Sequence, residues 1–67
     1  MSPNWNLKMA AVEKFGSQVE LAMKCGLDES KMSRIVRGRI TPRPEDREKI
    51  CAALGVPEVE LWPELAL

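Results

Sequence analysis

Gly16, Gly26, Gly38 and Gly55 cut this chain into short pieces, and in each piece the apolar residues recur three or four places apart. No stretch alternates with period two, so strands are not expected and the predicted fold class is all-α. The spacing predicts five helices, over about 4–14, 17–25, 28–37, 43–54 and 57–62, in one domain spanning residues 1–67. Leu7, Ala10, Ala11 and Phe15 form the inward stripe of the first, whose start falls at Asn4 or Asn6, with Ser2-Pro3 as a rival cap. Ser17 caps the second, with Glu20 three places on as a capping box, and Leu21, Ala22 and Cys25 face inward. Gly26 ends it in the left-handed conformation that glycine takes without steric cost, and Asp28 caps the third, which Gly38 stops. Thr41-Pro42 and Pro44 open the fourth helix, which carries Ile50, Ala53 and Leu54. The fifth ends before Pro63, with Leu61 and Trp62 closing the bottom of the bundle, while Trp5 either covers the first helix or stands exposed.

A chain of 67 residues builds only one small core. Such a core leaves about 3–5 kcal/mol of stability, so tight helix packing or a second subunit must supply the rest. Cys25 and Cys51 lie in apolar surroundings with no CxxC pair, and the chain has no histidine, which excludes a zinc site. Two reduced thiols serving as small core residues are expected, a single disulfide being the alternative. No basic start leads into an apolar run and no stretch reaches the length of a membrane span, so the expectation is a soluble, cytoplasmic protein with no membrane partner.

The charges balance, 10 Lys+Arg against 10 Asp+Glu, but their order does not. Lys31, Arg34, Arg37, Arg39 and Arg43 follow one another from Ser30 on with no acid between them, whereas Glu58, Glu60 and Glu64 crowd the other end. At about 100° per residue, Ser30, Ser33, Arg34 and Arg37 share one face of the third helix, and Met32, Ile35 and Val36 take the other. Only Gly26, Leu27 and Asp28 separate this helix from the second, a turn short enough to force a steep crossing. Ala22 leaves room at that crossing, Leu27 plugs it, and the third helix protrudes with its arginines outward. A single helix of that kind fits the major groove of DNA, which is about 12 Å wide.

The segment SQVELAMKCGLDESKMSRIVRG resembles the helix-turn-helix of the phage Cro and λ-repressor-like regulators, through Gln18, Leu21-Ala22, Gly26, Met32, Ile35 and Arg37-Gly38. EKICAALGVPEVELWPE is similar to the last two helices of that family, so the likeness covers about residues 7–64. The resemblance implies a compact five-helix λ-repressor-like domain whose third helix enters the major groove of a double-stranded DNA operator. Carried over residue by residue, it implies that Glu29, Ser30, Ser33 and Arg34 face base edges, Arg34 foremost, since a guanidinium can bond both O6 and N7 of guanine. It implies that Ser17, Gln18, Lys31, Arg37, Arg39 and Arg43 meet phosphates. Asp28 and Glu29 depart from the pattern by putting negative charge at the groove entrance; capping accounts for Asp28, and Glu29 can accept from a cytosine amine.

No histidine stands ready to activate Ser30 or Ser33 and no GxSxG elbow occurs, so neither an enzyme nor a cofactor is expected. The resemblance implies a homodimer on a pseudo-palindromic operator, acting as a Cro-type repressor by occluding a promoter, with no room for a small-molecule effector domain. Val56 to Leu67 is the expected dimer surface, because Leu65 and Leu67 have no evident role within the chain. The alternative is a protein-interaction module, such as an antitoxin, using the same fold to bind a protein.

Overall fold

The computed structural model describes residues 3–65, so the rival cap Ser2 and the expected interface residue Leu67 lie outside the described residues. Five helices follow one another, α1 Trp5–Phe15, α2 Gln18–Cys25, α3 Glu29–Val36, α4 Pro44–Leu54 and α5 Glu58–Leu61, before a single 3-10 turn at Pro63–Leu65. No strand occurs among the described residues. The starts follow local chemistry: the Ser17 hydroxyl accepts from the Glu20 N–H at 3.2 Å, and Asp28 Oδ2 accepts from the N–H groups of Ser30 and Lys31 at 3.0 and 3.3 Å. At α4 no side chain caps. Arg43 precedes Pro44 there, proline needing no N–H partner in the first turn, and Glu45 and Asp46 set their charge against the helix dipole.

α2 is the hub, packed on α1, α3 and α4. Leu7 and Ala11 from α1, Leu21 and Ala22 from α2, Met32, Ile35 and Val36 from α3, Ile50 and Leu54 from α4, and Leu61 with Trp62 form one buried cluster. These are the residues that the three-and-four spacing selects, and Leu61 and Trp62 close the bottom as expected. Cys25 and Cys51 are free thiols, packed against the core but only partly buried. Burial raises both their pKa values above the ordinary thiol value, which leaves them protonated and weakly nucleophilic at neutral pH. Trp5 stays 64% exposed.

The turn between α2 and α3 depends on Gly26. Its φ of 72° lies in the left-handed region, and the Leu27 N–H reaches back to the Ala22 carbonyl at 2.9 Å. The chain thereby changes direction within three residues, with Leu27 tucked against the core.

Two further ties lock the ends of the bundle together. Asn4 caps α1 by accepting from the Leu7 N–H at 3.0 Å, donates its amide to the Leu61 carbonyl at 2.8 Å, and gives its own backbone N–H to the Val36 carbonyl at 2.7 Å. One asparagine thus fastens the start of α1 to the end of α3 and to α5. Arg47 bonds Glu58 and donates to the Pro42 carbonyl at 2.7 Å, holding the α3–α4 loop down on α4 and α5.

Candidate nucleic-acid interface

Gln18, Glu29, Ser30, Ser33, Arg34, Arg37 and Arg39 line one open groove. It forms because the polar face of α3 looks outward while Met32, Ile35 and Val36 are buried beneath it, and because the start of α2 is brought alongside by the Gly26 turn. Ser30, Arg34, Arg37 and Arg39 are exposed, and Ser33 and Gln18 are half-buried at its floor and edge.

Arg39 lies beyond α3, so it reaches the groove only through the way the helix ends. The Arg39 N–H donates to the Arg34 carbonyl at 2.9 Å and the Gly38 N–H to the Ile35 carbonyl at 3.1 Å, a Schellman ending. That ending requires the left-handed φ of 76° at Gly38. The chain folds back over the last turn, and Arg39 comes to stand with Arg37. At the other end of α3, the negative charge of Asp28 is engaged by two backbone N–H groups, which leaves Glu29 as the groove's carboxylate.

Residues 16–62 match the helix-turn-helix domain family. The chain belongs to the helix-turn-helix family of DNA-binding regulators. Among solved structures, the restriction-modification controller protein C.AhdI from Aeromonas hydrophila superposes with a TM-score of 0.78 at 29% identity, over 87% of this chain and 88% of that one. The hypothetical transcription factor NHTF from Neisseria also gives 0.78, at 40% identity over 87% of this chain and 67% of that one. A hypothetical transcription factor of Neisseria meningitidis serogroup B is 40% identical over 57 residues, or 85% of this chain and 54% of the relative. The chain therefore spans about half the length of that curated relative. The helix-turn-helix unit proper is α2, the Gly26 turn and α3.

Three of the residues read from the sequence as phosphate ligands stand outside the groove. Ser17 is half-buried at the head of α2, its oxygen engaged by the Glu20 N–H. Arg43 is exposed before α4, 4.0 Å from Glu45. Lys31 is half-buried on the flank of α3, with its ammonium 2.7 Å from Asp46 Oδ2 on α4. At 2.7 Å the Lys31 ammonium is the counter-ion of Asp46 Oδ2. Lys8, on α1, touches the groove residue Gln18, a contact that the sequence did not reveal. Its ammonium donates to Gln18 Oε1 at 3.3 Å, and with the oxygen engaged the Gln18 amide offers its NH2 donors. Local periodicity carries no signal for that contact, which crosses from α1 to α2.

Asp46 is only 4% exposed. Lys31 beside it holds its carboxyl below the usual carboxylate range; burial opposes this, and Lys49 together with a backbone hydrogen bond at Arg43 adds to the lowering. A carboxyl with a lowered folded pKa contributes stability that is fully present above its unfolded value, about 3.9, and is lost as pH falls through the folded value. The side chain of Lys31 is 37% exposed, so water screens the pair, and its contribution is kept to about 1 kcal/mol. Denaturation midpoints of the wild type and Asp46→Asn should therefore differ near neutral pH and converge below about pH 4. A difference that stays constant through that window would show that this carboxylate carries no pH dependence.

Proposed function

We propose that this chain is a sequence-specific, double-stranded-DNA-binding transcriptional repressor of the Cro type. It acts as a homodimer that lays α3 in the major groove at each half of a pseudo-palindromic operator. The observation that carries the reading is the division of α3, with Ser30, Arg34 and Arg37 exposed on one face and Met32, Ile35 and Val36 buried on the other. Glu29, Ser30, Ser33 and Arg34 read base edges in this arrangement, while Gln18, Arg37 and Arg39 hold phosphates on either side and Ser17 and Arg43 extend the contact along the backbone. Relatives named as transcription factors and as a restriction-modification controller favour gene regulation.

A dimer is proposed through the C-terminal part, where Val59 and Leu65 are 53% and 42% exposed. It sets two copies of α3 one helical turn of DNA apart, about 34–36 Å. Sedimentation at high concentration, with and without duplex, tests this; a monomer under both conditions would remove it.

Salt dependence tests the whole reading. If Arg37, Arg39 and Arg43 of both protomers neutralise about six phosphates, affinity should fall on the order of a thousandfold between about 50 and 200 mM salt. Binding that changes little over that range would point instead to an apolar protein partner. The duplexes to use are those the wild-type chain recovers from a random DNA pool.

A further inference from the structure

The Lys31–Asp46 pair joins two helices that share the core but whose backbones stay apart. α3 packs its backbone closely against α1 and α2 but not against α4. Between the two backbones Lys31 Nζ reaches Asp46 Oδ2 at 2.7 Å, and the carboxylate at the far end is buried. α4 itself is held firmly, through its packing on α2 and the Arg47 bonds to Glu58 and the Pro42 carbonyl. We infer that Lys31 is a positioning residue for DNA readout, a strut that ties the recognition helix to α4 and sets the angle at which Ser30, Ser33 and Arg34 meet the groove, rather than a ligand for phosphate.

The geometry excludes neither charge nor reach at Lys31; it shows where both are used. The ammonium is the counter-ion of a buried carboxylate, and moving it out to a phosphate would leave that carboxylate without its compensating charge in a low-dielectric site. The facing charges are few: Lys49 on α4 acts on the same carboxylate, and Arg43 meets it only through the backbone. Lys31 also follows Ser30 by about 100° around α3, which puts it on the flank nearer the buried residues than the outward face. A tilt of α3 displaces every side chain on it together, so the strut bears on selectivity between sequences more than on attraction to DNA as such.

This inference rests on the DNA-binding reading and is tested with Lys31→Met and Asp46→Asn. Affinity is measured against salt on a duplex selected by the wild type from a random pool and on a mixed-sequence duplex. Both substitutions should lower the preference for the selected duplex roughly tenfold while leaving the slope of log affinity against log salt unchanged. Asp46→Asn is the sharper variant. It removes a negative charge, which electrostatics alone would turn into tighter binding, and it leaves Lys31 able to reach water, so the fold is retained even if Lys31→Met destabilises it. A slope reduced by about one unit in Lys31→Met, with Asp46→Asn binding as well as or better than the wild type, makes Lys31 a phosphate ligand and overturns the strut. If the wild type selects no duplex and binds with no salt dependence, it is the DNA reading that fails. Amide exchange then decides the strut, which requires α3 to exchange faster than α2 in both variants and is overturned if the two helices respond alike.

Discussion

Met32→Ala is expected to leave much of the protein unfolded at room temperature. Met32 is fully buried on α3, in one cluster with Leu21, Ile35 and Ile50. Cutting a buried methionine back to alanine removes its transfer free energy and leaves a cavity, costing about 2–5 kcal/mol. A core of this size supplies only about 3–5 kcal/mol in total, so one substitution can remove most of the margin. Helical circular dichroism with a urea titration reads this directly. A midpoint shift equivalent to less than about 1 kcal/mol would mean that the neighbours collapse into the space, or that a subunit interface supplies stability the single core does not. Met32→Leu, which keeps the volume, should cost less than about 1.5 kcal/mol.

Arg34→Ala should produce the largest change in what the protein recognises while leaving its fold alone. Arg34 is exposed on the outward face of α3 and lines the groove, without an ion-pair partner among the described residues. Its fork can make two bonds to one guanine, so its loss should cost about 1–3 kcal/mol on the preferred site and relax selection at a single base pair. Arg37→Ala provides the contrast. Lying one helical turn further along at the groove's end, it should weaken all duplexes evenly and reduce the salt slope by about one unit. Ranking a panel of single-base variants separates the two roles. An unchanged ranking in Arg34→Ala would remove its base-reading role and shift attention to Glu29, Ser30 and Ser33.

Much of the fold could be read ahead because its signals are local. Ser17 and Asp28 cap the helices that follow them, Gly26 and Gly38 end the helices before them, and Leu21, Met32, Ile35 and Ile50 fall on the stripes that become the core. Each of these depends on residues within one or two turns, where the backbone geometry is known once the helix is assumed. The groove was legible for the same reason as far as α3 alone defines it. Gln18 and Arg39 join it because the Gly26 and Gly38 turns, both visible in the sequence, fold the chain back at either end.

What escaped were the contacts between distant elements. Asn4 reaching Leu61 and Val36, Arg47 reaching Glu58, Lys8 holding Gln18 and Lys31 finding Asp46 all require the relative placement of helices, which no periodicity encodes. Lys31 and Arg34 illustrate the division. By itself, the sequence determined that α3 would be a helix with two unlike faces and a run of cations along it. Only the tertiary structure decided that the cation on the flank turns inward to a buried carboxylate of α4 while the one on the crest stays in solvent. The reason is that a helical wheel fixes the direction of a side chain about its own axis but not what stands opposite, and an ion pair forms only where another element brings the countercharge within reach.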